Sequence, residues 1–70
     1  MTEAADWLDV LTRLVKEGEA AQSDRMALIE YQTRLGQDTT VAEAALREIK
    51  DALATMRAQR LALQAEGRDA

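Results

Sequence analysis

Carboxylates are the side chains in this sequence whose number and spacing come closest to those of a catalytic or metal-binding site. Asp6 and Asp9 lie three positions apart, so a helix would present both on one face, as a divalent cation or a glycosidic bond requires. The sequence contains no His and no Cys, and therefore lacks the usual general base, the thiol nucleophile and the nitrogen and sulfur metal ligands. Acidic residues near a helix start also interact favourably with the helix dipole. We interpret these carboxylates as structural and expect no enzymatic activity, no metal and no cofactor.

A sparse basic row in the second half of the chain is the other group with possible chemistry. Its members are Arg47, Lys50, Arg57 and Arg60. A dimer of helical hairpins could lay two such rows on a nucleic-acid backbone, because phosphate neutralisation supplies most of that affinity. The formal net charge of -4 opposes this hypothesis, as does Glu43, which lies four positions before Arg47 and favours an ion pair within the helix. Nucleic-acid binding is therefore the alternative hypothesis, and nucleic acid is the disfavoured partner.

Helices are predicted to position these residues, because Ala, Leu, Glu, Gln, Arg and Lys dominate, Pro is absent and no segment alternates with period two. The clearest break is at residues 36–40. Gly36 has the position of a left-handed residue that ends a helix, and Thr40 with Glu43 fits a capping box in which the hydroxyl caps a backbone N–H and the carboxylate reaches back. We predict one helical domain over residues 1–70, with a helix at about 3–35, a turn at 36–40, a helix at about 41–65 and a frayed tail at 66–70.

Apolar residues recur at alternating steps of four and three in both helices, which is the spacing of a coiled coil. The first stripe runs from Trp7 to Leu35, with Leu8, Val15 and Ile29 flanking it, and the second runs from Ala42 to Leu63. The predicted core or interface residues are Trp7, Leu11, Leu14, Leu28, Ile29, Leu35, Leu46, Ile49, Leu53, Met56 and Leu63. Reversal of the chain at residues 36–40 then pairs Leu14 with Leu63, Ala21 with Met56, and Leu28 with Ile49.

The predicted fold class is therefore all-α, an antiparallel two-helix hairpin that resembles a coiled coil. Gly18 leaves an alternative, a three-helix bundle broken near this residue, because Gly costs about 1 kcal/mol relative to Ala in a helix. Ser23 or Asp24 would then cap a separate helix. The continuous helix is favoured because the heptad spacing persists across Gly18.

The apolar stripes are broader than a single hairpin seam can cover, and the core is thin because 14 of the apolar residues are Ala. We expect the hairpin to complete a helical bundle by self-association or by binding a larger protein. The predicted function is a small non-enzymatic interaction or regulatory module of the adaptor, co-chaperone or inhibitor type. A weaker alternative is an acidic, phage-type inhibitor of a nucleic-acid enzyme.

The sequence also bears on cellular location. Its purely apolar runs are far shorter than the roughly 20 residues of a membrane-spanning helix. The segment Met1-Thr2-Glu3-Ala4 lacks the basic region that begins a signal peptide. We therefore expect no membrane partner and a cytoplasmic location.

Overall fold

The structure, a computed structural model, describes the backbone of residues 3–69 and the side chains of residues 6–66. Within this range the chain forms an antiparallel hairpin of two long helices, α1 (Glu3–Arg34) and α2 (Thr40–Asp69), and no strand. The predicted all-α hairpin is confirmed. Because α1 is continuous through Gly18, the three-helix alternative is wrong. Helix α2 continues beyond the predicted end near Ala65, since one Gly near a helix end costs little, and Ala70 lies outside the described residues.

Gly36 ends α1 in the way that the sequence predicts. Its φ of 70° lies in the left-handed region, which a residue without a Cβ atom enters at low cost. The N–H of Gly36 donates to the carbonyl of Thr33 at 3.1 Å, and the N–H of Gln37 donates to the carbonyl of Gln32 at 2.8 Å. These two bonds form a Schellman motif, which satisfies carbonyl groups that the end of the helix would otherwise leave without donors.

The start of α2 differs from the predicted capping box. Oδ1 of Asp38 accepts hydrogen bonds from the backbone N–H of Thr40 at 2.9 Å and from its hydroxyl at 2.6 Å. The carboxylate of Glu43 accepts a bond from the hydroxyl of Thr39 at 3.1 Å, and not from the N–H of Thr40. The physical reason is that the Asp38 carboxylate reaches an N–H two residues ahead and is a stronger acceptor than a hydroxyl.

The seam between the helices contains the buried core. Its buried residues are Leu11, Val15, Ala42 and Leu53, of which Leu53 is fully buried. On α2 the inward stripe is the predicted one, with Leu46, Ile49, Met56 and Leu63 half-buried. On α1 the inward residues are Leu8, Leu11, Val15, Gly18, Gln22, Arg25, Ile29 and Gln32.

Half of the α1 stripe differs from the prediction. Leu11, Gly18, Arg25 and Gln32 are inward as predicted, whereas the inward positions between them lie one residue later than predicted. Leu14, predicted to lie in the seam, is 40% exposed, and Leu28, predicted to pack opposite Ile49, is 37% exposed. Val15, predicted to flank the stripe, is buried instead. The predicted and observed stripes share Gly18, so periodicity could not separate them. Close approach of the helices at Gly18 favours the stripe that contains the smaller Val15 and leaves the bulkier Leu14 outside.

The pairing along the seam is also shifted. A Cβ atom built on Gly18 would lie 3.6 Å from Cε of Met56, so Met56 faces Gly18 and not Ala21, as the prediction had it. Leu53 is closer still to Gly18, whereas the predicted register places it opposite Asp24, so the shift is three to six residues, or somewhat more than one helical turn on average. Its cause is that Gln32 is the last inward residue of α1, whereas Leu35, predicted to be the last, lies in the turn and is exposed.

The hairpin is long and thin, with extents of 54 × 15 × 13 Å. Its radius of gyration is 16.1 Å, against about 11 Å for a compact domain of this length. Its accessible surface is 5450 Å², against about 4,300 Å² for a compact monomer of this mass. Two helices that meet along one seam leave the remaining sides of both helices uncovered, and part of that uncovered surface is apolar.

Candidate interaction surface

One broad side of the hairpin is apolar, and we call it the apolar face. Its α1 row repeats every seven residues and consists of Trp7, Leu14, Ala21, Leu28 and Leu35. Its α2 row has the same spacing and consists of Ala45, Ala52 and Gln59, with Glu66 following at the open end of the hairpin. A spacing of seven keeps each row on one flank of its helix, because two turns of a coiled-coil helix contain seven residues.

The large side chains of the α1 row are accessible to a partner. Trp7 is 59% exposed and Leu35 is 54% exposed, while Leu14 and Leu28 are shielded on the seam side and open on the other. Tyr31 is also exposed and widens the apolar face beside Leu28. Single exposed apolar residues are normal, but a row at heptad spacing along a whole helix indicates an interaction surface.

The open end of the hairpin carries a shallow groove of about 410 Å³ on the apolar face. It is lined by Trp7, Leu11, Gln59, Ala62 and Leu63. The lining crosses from α1 to α2, so the Trp7 and Gln59 rows lie on the same side of the hairpin. An indole in such a groove offers a large contact area to a partner, and Trp is enriched at binding hot spots.

The charges that border the apolar face are acidic. Glu17, Asp24 and Glu48 each follow an apolar-face residue by three positions, which places them on its outer edges. We call these three residues the acidic rim. None of the Lys and Arg side chains within residues 6–66 occupies either the rows or the rim.

The opposite side of the hairpin, which we call the charged face, carries both signs in balance. Its acidic residues are Asp9, Glu19, Glu30 and Glu43, and its basic residues are Lys16, Arg47, Lys50 and Arg57. Nη2 of Arg57 lies 3.1 Å from Oε2 of Glu19, and both side chains are about half exposed. Such an exposed pair stabilises a fold by at most about 1 kcal/mol.

The residues of the predicted nucleic-acid surface do not all come together. Arg47, Lys50 and Arg57 are exposed on the charged face, whereas Arg60 is half-buried in the seam. Glu19 binds Arg57, so one of the exposed cations is already partly neutralised. Because acids and bases are interspersed, this side does not have the clustered positive charge that is typical of phosphate binding.

The carboxylates show no sign of a catalytic or metal site in the part of the chain that the structure describes. Asp6 and Asp9 are exposed on α1, and no group of three or more His, Cys, Asp or Glu residues with the geometry of a metal site occurs there. Hydrogen bonds from the hydroxyl and then the N–H of Thr40 lower the pKa of the Asp38 carboxyl, which belongs to the turn. Neither described helix contains an apolar stretch long enough to cross a membrane.

The α1 row belongs to the stripe that the sequence predicts, but the prediction placed this row inside the hairpin, whereas its large side chains are exposed. It missed Tyr31 and the acidic rim altogether. A signal for both was present, because Trp7 to Leu35 form a second stripe of period seven and the charges three positions after its members are all acidic or absent. The prediction treated the apolar residues of α1 as one stripe. It therefore did not distinguish the residues that face α2 from those that form the exposed apolar face.

Comparisons with known proteins give no further indication of the function. No protein-family model, curated protein or solved structure matches the sequence.

Proposed function

We propose that this protein is a small non-enzymatic protein–protein interaction module that binds its partner through the apolar face. The supporting observation is the heptad row from Trp7 to Leu35, whose large side chains are between 37% and 59% exposed. The other side of the hairpin is charge-balanced, and its exposed apolar residues Met26 and Leu61 are isolated and not part of a heptad row. The difference between the two sides gives the hairpin one surface suited to protein contact.

The apolar face has the dimensions of a protein interface. One whole side of the hairpin, 54 × 15 Å, has a footprint of about 800 Å², which is what one partner buries in an interface of standard size, and the apolar face runs along this side. Apolar area removed from water contributes about 25 cal/mol per Å², before the entropic costs of association are subtracted. The side chains of this face supply contact area and no reactive group, which favours a binding role over catalysis.

Two substitutions on one helix provide a sharp test. Leu28→Glu places a charge on the apolar face, whereas Met26→Glu places the same charge on the opposite side, at a residue that is 51% exposed. Association is measured as mass by light scattering over a concentration series, and as capture of proteins from cells of the natural source. We expect Leu28→Glu to abolish whichever association the wild type shows and Met26→Glu to retain it.

Circular dichroism of both variants checks that they remain helical. Leu35→Glu, at a more exposed position of the same row, serves if Leu28→Glu lowers helix content. A folded wild-type monomer that captures nothing would contradict the proposal. So would association that persists in both apolar-face variants.

A further inference from the structure

We infer that the occupant of the apolar face is an amphipathic α-helix whose apolar stripe is bordered by Lys or Arg. This inference rests on the proposed function and specifies the chemistry of the partner. Two observations support it, namely the shape of the apolar face and the negative charge along its edges.

The shape of the apolar face suits a helix that lies along the hairpin. Because Gly18 faces both Leu53 and Met56, Ala21 on α1 and Ala52 on α2 lie at about the same height. Two small residues side by side form a shallow saddle midway along the face. A third helix in the groove between two helices places its large side chains into such depressions, as in helical bundles.

The acidic rim selects the charge of that helix. Glu17 and Asp24 border the face along α1 and Glu48 borders it along α2. The nearest cation on this flank is Arg13, four positions before Glu17, and the ion pair among the described side chains joins Arg57 and Glu19 on the other side. A Lys or Arg at the edge of the partner's stripe can lie its aliphatic stem along the apolar rows and bring its charge to a rim carboxylate. Complementary charge at the border of an interface fixes partner choice and speeds encounter.

A second copy of the hairpin fits the face less well. If two faces stack with α1 over the partner's α2, Asp24 comes within about one turn of the height of Glu48 of the other copy. If they stack with α1 antiparallel to α1, Asp24 comes opposite Glu17 of the other copy. Both arrangements bring carboxylates of the two copies close together, which is unfavourable. A helix edged by Lys or Arg brings opposite charges together instead. Nucleic acid and anionic lipid surfaces are repelled by the same carboxylates.

The test uses two synthetic peptides of about 21 residues, three heptads long. Both carry the same Leu and Ala stripe and no aromatic residue, and they differ in having Lys or Glu along its edges. Trp7, which is the only Trp of the chain and is exposed at the end of the face, reports binding by a blue shift of its emission. We expect the Lys-edged peptide to bind about tenfold more tightly at low salt, since each of three partly exposed ion pairs contributes a factor of about two to three.

Reversing the charges of the rim tests whether the rim causes the preference for the Lys-edged peptide. The double variant Glu17→Lys with Asp24→Lys is expected to lose the preference for the Lys-edged peptide or to reverse it. The matched control, Asp9→Lys with Glu30→Lys, makes the same change in net charge on the charged face of the same helix. It is expected to keep the preference. Rising salt should reduce the difference between the peptides, because exposed charges are screened.

Several outcomes would overturn the inference and are distinguishable from failure of the proposed function. Equal or tighter binding of the Glu-edged peptide, still sensitive to Leu28→Glu, would reject the basic helix while supporting the apolar face as a binding surface. A dimer of the protein that Leu28→Glu dissociates would do the same, with a second copy as the occupant. If no peptide binds and Leu28→Glu changes neither mass nor capture, both proposals fail.

Discussion

Leu53 packs directly over Gly18. A Cβ atom on Gly18 would lie 2.7 Å from Cδ2 and 3.1 Å from Cγ of Leu53, a side chain that is only 1% exposed. Because Gly18 has no side chain, Leu53 can pack against the backbone of α1 at this position. A residue whose usual effect is to weaken a helix here sets how closely the two helices approach.

Gly18→Ala is predicted to destabilise the hairpin. In an unconstrained helix this change stabilises by about 1 kcal/mol, but the added methyl group overlaps Leu53, and overpacking costs about 1 to 3 kcal/mol. In a Leu53→Ala background the overlap disappears, so Gly18→Ala should stabilise by about 1 kcal/mol. Denaturant unfolding of the four proteins measures the cycle. Equal effects of Gly18→Ala in both backgrounds would mean that the two residues do not meet.

Truncation of Leu53 and of Leu28 is predicted to separate folding from binding. Leu53→Ala removes a fully buried side chain and should lower the free energy of unfolding by about 2 to 5 kcal/mol. Leu28→Ala removes a side chain that is already partly exposed and should cost less than about 1 kcal/mol. The same Leu28→Ala change should weaken partner binding. Denaturant melts and binding titrations on both variants check this contrast, and similar losses of stability would refute it.

Replacement of Gln32 by Met is predicted to stabilise the hairpin. Oε1 of Gln32 is buried in the seam and has no hydrogen-bond partner among the described residues. A buried acceptor without a donor costs about 1 to 3 kcal/mol, and Met fills a similar volume without a polar oxygen. The free energy of unfolding should therefore rise by about 1 kcal/mol or more. A loss of stability in Gln32→Met would show that the amide makes a favourable interaction.

Acid is predicted to weaken the start of α2. The pKa of the Asp38 carboxyl is lowered by its bonds from Thr40, so the folded state holds a proton there less readily than the unfolded chain does. The stabilisation is complete well above the unfolded pKa of about 3.9 and is lost as pH falls through the lower folded pKa. Asp38→Asn keeps an acceptor but does not ionise. Its Tm should fall less than that of the wild type between about pH 5 and pH 2, and parallel thermal melts in this range would contradict the assignment.

The sequence was sufficient for the positions of the two helices and of the turn. Gly36 predicts the end of α1 because few other residues tolerate its φ, and the large apolar side chains of α2 keep one four-and-three spacing from Ala42 to Leu63. The capping box at Thr40 was also a local signal but was wrong, because Asp38 takes the N–H that Glu43 was predicted to bind.

The α1 stripe could not be predicted because the two candidate stripes share Leu11, Gly18, Arg25 and Gln32, and only the burial of Val15 in place of Leu14 separates them. The acidic rim could not be predicted for the same reason, because the outer edges of the apolar face can be located only when the residues of the seam are known.

Photo-crosslinking at two positions of α1 tests most directly whether the apolar face is the binding surface. A photoreactive amino acid replaces Leu28 in one protein and Met26 in another, two exposed positions on opposite sides of the same helix. Both proteins are irradiated in cells of the natural source, and the adducts are resolved by mass. We expect a discrete adduct from position 28 and none from position 26. No adduct at position 28, or equal adducts at both positions, would contradict a binding role for the apolar face.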